Sequence, residues 1–330
     1  MKYLISNFTK QLKSALELSN RLQLTDFKTE LRNVVICGMG GSGISGNIVA
    51  EAVASEIKIP IIVNKDYFLP NYINTKSLVI ISSYSGDTEE TLLALNEAIE
   101  KEAKIVCITS GGKLADIASR KKLDTILIPK GMPPRAAISY SIVQILNILN
   151  INYIISSDYK NKINSAIKLL DSEENNIIKD AKETAYLISG KYPIIYSSAK
   201  TESVALRLKQ QFNENSKILC SHNVFPELNH NELQGWKEKN KNIAVIILRD
   251  QNEFNRTAKR INISSEIIGL YDATIKEIYA KGNSILEKML YLIHWGDWLS
   301  VCLAEIKGID TLDISVITYL KSELAKIEEQ

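Results

Sequence analysis

The chain predicts an α/β protein: two doubly wound parallel-sheet domains with helical extensions at the N- and C-termini. Three observations carry that prediction. Apolar, β-branched runs alternate with helical stretches through the first half. The second half repeats the alternation more loosely. The chain's 330 residues also exceed the ~250–300 that one core usually organises.

Met1 to Ser19 mixes lysines with leucines at helical spacing and lacks a signal-peptide apolar core, so a leading helix is expected. Runs at 34–36, 59–63, 78–81, 105–108 and 125–128 then read as strands. Helical stretches separate them, notably at 42–56 and 87–102. Continuous apolar runs separated by helices predict a parallel sheet covered on both faces. The longest apolar stretch, Ile138 to Ile155, is broken by Ser139, Gln144, Asn147, Asn150 and Asn152. It falls short of ~18 uninterrupted apolar residues and predicts a buried helix rather than a membrane span.

Ser156 to Asn164 is polar enough for a linker, although a helix can cross it. The expected division is therefore 1–155, carrying the N-terminal site, and 156–330. In the second part, 193–198 reads as a strand, followed by a helix from about Glu202 and strands at 218–220 and 243–248. A helix near 253–263 follows. Val34 to Ile59 and Ile194 to Ile218 are nearly equal spacings, as expected of a shared unit.

Composition excludes several classes. Hydrophobic content of 45% and charged content of 24% are ordinary for a globular chain. A net charge of +2, with no clustered basic face, argues against nucleic acid. Cys37, Cys107, Cys220 and Cys302 are widely spaced in apolar runs and read as small buried side chains. His222, His230 and His294 show no metal-ligand spacing. A cytoplasmic protein without metal or cofactor, acting on a small molecule, is the expectation.

Two loops follow predicted strands. The first is Cys37-Gly38-Met39-Gly40-Gly41-Ser42-Gly43; the second runs from Ser82 through Ser83, Ser85 and Thr88 to Thr91. Hydroxyls and backbone N–H groups converging at helix starts suit a phosphate. On doubly wound sheets ligands bind beyond the carboxyl ends of strands, where both loops fall. Gly38, Gly40 and Gly43 also match the dinucleotide fingerprint, with Asp66 near the place of a ribose acid. The hydroxyl of Ser42 and the second loop favour a sugar phosphate instead. Asp87 and Glu89 must then point away from the dianion. Arg135 follows two prolines, Glu214 stands at a helix end, and His230 lies in a polar stretch; alone, none of these is diagnostic.

Together the segments resemble the bifunctional phosphoglucose/phosphomannose isomerases, a two-domain branch of the phosphoglucose isomerase superfamily built from sugar-isomerase (SIS) domains. The matching pieces are Gly38 to Gly43, Ser83 to Thr91, Pro134-Arg135, Phe212-Asn213-Glu214-Asn215, Glu227 to Glu232 and Gly296-Asp297-Trp298. Gly308-x-Asp310 and Ile317-x-x-Leu320-Lys321 extend the likeness almost to the end. The resemblance implies that Gly41, Ser42, Ser83, Ser85 and Thr88 hold the substrate phosphate, with Gly40 and Pro134 positioning the sugar. It implies that Glu214 moves a proton between C1 and C2, and that Arg135 stabilises the enediolate. His230 and Lys321 would serve ring opening, the histidine commonly coming from the other subunit of a homodimer.

Such chemistry suits a carboxylate sheltered from water with a raised pKa, beside a permanent cation. No metal is implied. The alternative of a different class is a non-catalytic sugar-phosphate sensor on the same scaffold; Glu214, His230 and Arg135 together argue against it. An amidotransferase-like isomerase is disfavoured by the absence of a glutaminase domain in a chain of this length.

Overall fold

A computed structural model describes residues 1–27 and 30–327. The chain opens with helices α1 (Lys2–Ser6) and α2 (Phe8–Arg21). The first α/β unit comprises β1 (Asn33–Cys37), α3 (Gly40–Val53), β2 (Ile61–Asn64), β3 (Ser77–Ser83), α4 (Glu89–Glu100), β4 (Lys104–Thr109), α5 (Gly112–Lys121) and β5 (Asp124–Leu127). Helices α6 (Ile138–Ile151) and α7 (Tyr159–Ile188) lead to the second unit. That unit comprises β6 (Tyr192–Ser198), α8 (Glu202–Gln211), β7 (Ser221–Phe225), β8 (Ile243–Asp250), α9 (Asn255–Gly269) and β9 (Thr274–Ala280). Helices α10 (Ile285–Ile306) and α11 (Ser315–Leu324) finish the described chain.

Both sheets are parallel, with strand orders β2-β1-β3-β4-β5 and β7-β6-β8-β9. The first four strands of each unit thus have the same order, which is the repeat expected from the sequence. In the first sheet the winding reverses between β1 and β3, which opens a crevice where the two hydroxyl loops emerge. β1 and β3 are buried along their whole lengths, as continuous apolar runs between two helical layers demand.

One apolar cluster joins the two units, from Val34 and Ile36 of β1 through Leu146 of α6 and Ala181 of α7 to Ile246 of β8 and Trp295 of α10. The other face of each sheet has its own smaller cluster. The polar residues that interrupt α6 are docking points: Ser139 Oγ donates to Gln11 Oε1 at 2.8 Å, and Gln144 Nε2 donates to the Ala15 carbonyl at 2.8 Å. Both satisfy buried groups that would otherwise destabilise the helix pair.

Three sequence expectations need correction or completion. The strand expected at 218–220 lies instead at Ser221–Phe225, because 218–220 form the exit from the turn after α8, where Ile218 N–H donates to the Phe212 carbonyl. As an edge strand, β7 has little need of apolar residues on both faces. The linker at Ser156–Asn164 is largely helical, since α7 starts at Tyr159 and runs for 30 residues. Strand β9 was not anticipated; it is an edge strand whose charged Lys276 and Glu277 interrupt the apolar pattern.

All four cysteines are free and buried, and burial pushes the thiols of Cys37, Cys107 and Cys220 up to about 12. Among the described residues, no helix is long and apolar enough to cross a membrane.

Candidate active site

The first loop is shaped by close approach. Gly40 opens α3 with φ +48°, in the left-handed region where side chains are disfavoured. A Cβ on Gly41 would stand 2.6 Å from the Pro134 carbonyl oxygen and 3.1 Å from the Arg135 nitrogen. Glycine there lets the start of α3 touch the turn that carries Arg135, so Gly41 and Pro134 act as a pair. Ser42 is buried, and its Oγ accepts from the Tyr84 N–H at 3.3 Å. That bond ties the first loop to the second.

In the second loop, Ser83 Oγ donates to Thr88 Oγ1 at 3.0 Å and accepts from the Gly86 N–H at 3.2 Å. Ser85 Oγ stands 3.5 Å from the same Thr88 oxygen. Three hydroxyls therefore converge immediately before α4. Asp87 turns its carboxylate away: Oδ1 accepts from the Lys113 N–H at 3.0 Å and so serves the first turn of α5.

The following turn is fixed by Tyr84, a residue with no signal in the sequence pattern. Its hydroxyl donates to the Pro129 carbonyl and accepts from the Met132 N–H, both at 2.9 Å. The turn delivers Arg135, which is 3% exposed. Its Nη1 donates to Glu214 Oε2 at 3.0 Å, its Nε to Asn215 Oδ1 at 2.9 Å, and its Nη2 to the Thr311 carbonyl at 2.6 Å.

Glu214 and Asn215 lie on a π-type turn, Phe212–Ser216, continuing α8. Such widened turns displace side chains from the regular helical path and recur at functional sites. Asn215 is buried and also donates to Ser300 Oγ at 2.9 Å, which fixes the turn to α10. The Glu214 side chain is 29% exposed and paired with Arg135. A carboxylate sheltered from water was expected; the structure gives a partly open one with a cationic partner.

Beneath the pair sits a second arginine. Arg207 Nη2 donates to both carboxylate oxygens of Asp297, at 2.9 and 2.8 Å, and to the Arg135 carbonyl at 3.1 Å. Gln211 Nε2 donates to the same carboxylate at 2.8 Å. Asp297 of the Gly-Asp-Trp segment thus acts through the backbone of Arg135, without reaching the site itself.

The C-terminal segment closes over these groups. A cavity of about 230 Å³ lies between Asn213, Glu214 and residues 313–317. Lys321 stands on exposed α11 and lines an adjoining cleft of about 880 Å³ with Asp87, Thr88 and Glu89. It is therefore on the side of the hydroxyl loop. His230 is exposed on a short 3-10 turn, and among the described residues it has no hydrogen bond or ion pair with Glu214 or Arg135. Within one chain, Ser42 is tied to the second loop, Ser83, Ser85 and Thr88 converge there, and the turn bearing Arg135, paired with Glu214, packs against Gly41 of the first loop.

The second sheet offers no equivalent hydroxyl loop. At the carboxyl end of β8, Arg249 is bound by Glu253 and Glu277 at 2.9–3.2 Å, with Asn262 also accepting from it. Protein carboxylates fill the place corresponding to the second hydroxyl loop. Among the described residues, no group of three or more His, Cys, Asp or Glu is placed to hold a metal ion.

Comparison with known proteins agrees with this organisation. Residues 29–152 match the family model for the SIS domain, and residues 177–324 match that for the bacterial phospho-glucose isomerase C-terminal SIS domain. A bifunctional phosphoglucose/phosphomannose isomerase from Caldicellulosiruptor bescii is 38% identical, covering 98% of this chain and 99% of the relative. One from Thermoplasma acidophilum is 38% identical over 89% of this chain and 90% of its own. Among solved structures, the C-terminal domain of glucosamine-fructose-6-phosphate aminotransferase from Francisella tularensis superposes with a TM-score of 0.74 at 16% identity, covering 93% of this chain and 96% of that one. The chain belongs to the bifunctional phosphoglucose/phosphomannose isomerase family.

Proposed function

We propose that the protein interconverts glucose 6-phosphate and mannose 6-phosphate with fructose 6-phosphate. The observation that carries this reading is the Arg135–Glu214 pair, 3.0 Å apart, whose arginine turn packs against Gly41 of the first loop, itself tied through Ser42 to the hydroxyl-bearing second loop. A sugar phosphate anchored by Ser42, Ser83, Ser85, Thr88 and the Gly41 N–H presents its far end to Glu214. The carboxylate takes the proton from C2 of the aldose, giving the enediolate; the O2 hydroxyl proton moves to O1, and the carboxylate returns its proton to C1, leaving the ketose. Arg135 keeps its charge throughout and stabilises the oxyanion that develops beside the base. Rotation about C2–C3 with the phosphate held presents either C2 epimer to the same carboxylate.

Ring opening needs a group that can pass a proton between the hydroxyl and the ring oxygen, and His230 of a second copy fills that role in a homodimer. Its exposure on the surface of one chain favours that arrangement. Lys321, on the phosphate side of the cleft, supplies a second cation above the loop. Gly40 and Pro134 hold the sugar's bed through backbone shape. The reading includes the division at 155/156, a cytoplasmic location and a place in hexose-phosphate metabolism. It needs no metal.

The test is conversion of fructose 6-phosphate in the presence of chelator, with glucose 6-phosphate and mannose 6-phosphate measured separately. Both products are expected. Glucose 6-phosphate alone refutes the dual activity, and binding without turnover establishes the sensor instead.

A further inference from the structure

Lys217 follows the turn that carries Glu214, in the left-handed region with φ 53° and ψ 45°. That conformation favours glycine or asparagine, so a lysine there is disfavoured by its own backbone. Its side chain has a particular task. The ammonium donates to the Glu214 carbonyl at 2.5 Å and to the Asp313 carbonyl at 2.6 Å. A lysine at a helix end ordinarily satisfies the helix's own last carbonyls. That explains the bond to Glu214 but not the bond to Asp313, which belongs to a segment 96 residues away.

The second bond spans the cavity beside the base. Lys217 lines it together with Glu214, Asp313, Ile314 and Val316. The same C-terminal segment is anchored from the first unit by Arg135 Nη2 on the Thr311 carbonyl. Beyond these two anchors α11 has no buried residue, so the cations of Arg135 and Lys217 fix where the segment crosses the site. The charged groups facing the ammonium are Arg135 from the turn before α6, Glu214 from its own turn, and Asp310 and Asp313 from the C-terminal segment.

We propose that Lys217 is a positioning residue for the isomerisation. Its ammonium locks the turn that carries Glu214 to the C-terminal segment that roofs the cavity. It does not touch the reacting carbons; it sets where the carboxylate stands. Burial first, and Arg135 second, lower the ammonium's pKa, as expected for a cation withdrawn from water between backbone carbonyls. The proposal rests on Glu214 being the base of the isomerisation proposed above.

Lys217→Gly separates this role from a merely structural one. Glycine suits the left-handed backbone, so the substitution removes the ammonium and relieves the conformation together. The full-length variant is expected to melt at or above the wild-type temperature. Its kcat on fructose 6-phosphate is expected to fall roughly 10–100-fold, the scale of a base displaced by about 1 Å. KM should stay within about threefold, because the phosphate loop is untouched. Lys217→Arg, which keeps a cation able to bridge two carbonyls, should recover most of the lost kcat. A Lys217→Gly protein with kcat within twofold of wild type overturns the proposal, as does a kcat loss that only follows a lower melting temperature. No turnover by the wild-type chain instead removes the isomerase reading beneath it.

Discussion

Replacement of Asp297 by alanine probes how Arg135 is held, at a distance from any substrate. The Asp297 and Arg207 side chains are 9% and 3% exposed. The substitution leaves the Arg207 guanidinium inside the protein with the Arg135 carbonyl as its remaining hydrogen-bond partner. Breaking a buried pair in this way costs about 3–5 kcal/mol, against a total stability of about 5–15 kcal/mol. At roughly 2–4 °C per kcal/mol, the melting temperature should fall by about 6–20 °C. Urea unfolding measures the free energy, and turnover of fructose 6-phosphate measures the site. The double substitution Arg207→Met with Asp297→Leu should restore stability to within about 1 kcal/mol, because apolar groups replace such pairs well. Its kcat should remain low, since the Arg135 carbonyl has lost its donor. A single variant that loses less than about 1 kcal/mol, or a double variant with full kcat, refutes this account of how Arg135 is placed.

Other perturbations give equally direct readings. Gly41→Ala forces a Cβ to within 2.6 Å of the Pro134 oxygen, so the Arg135 turn must shift; a loss of about 1–3 kcal/mol and a reduced kcat are expected by urea unfolding and assay. Ser83→Ala combined with Thr88→Val removes two of three converging hydroxyls and should raise KM for fructose 6-phosphate more than it lowers kcat; an unchanged KM would place the phosphate elsewhere. Glu51, on α3, accepts from Ser203 N–H and Oγ at the start of α8, and burial raises its pKa from 4.5 to about 7. Because the folded pKa lies above the unfolded one, this group's stability contribution is complete below about pH 4.5 and is lost as pH rises through about 7; the loss is at most about 3 kcal/mol. Glu51→Gln should flatten the fall of the urea midpoint between pH 5 and 8, and an unaltered slope contradicts the assignment.

The features legible in the sequence are those written locally. β1 and β3 are continuous apolar runs because both faces are covered, and the Gly and Ser/Thr loops at their ends are short motifs. The repeat was legible from the matched spacing of its first two strands, although β7 starts later than its apolar neighbours suggest. Edge position explains both β7 and the unanticipated β9: a strand paired on one side can carry the polar residues of Ser221-His222-Asn223 or Lys276-Glu277. The supports of the site were illegible because they are made between distant segments. Arg207 meets Asp297 across 90 positions and Asn215 meets Ser300 across 85. Lys217 carried even less signal, since a lysine after a helix is commonplace until its second carbonyl partner is seen.

The central claim is that Glu214 carries one proton between C1 and C2, and deuterium tests it directly. In heavy water, wild-type protein given fructose 6-phosphate should form glucose 6-phosphate and mannose 6-phosphate, each labelled at C2 by exchange on the carboxylate. Glu214→Gln should lower turnover and labelling together by roughly 10²–10⁴-fold, while fructose 6-phosphate still binds. A variant that keeps turnover within about tenfold of wild type, with label still entering C2, would assign the proton transfer to another group.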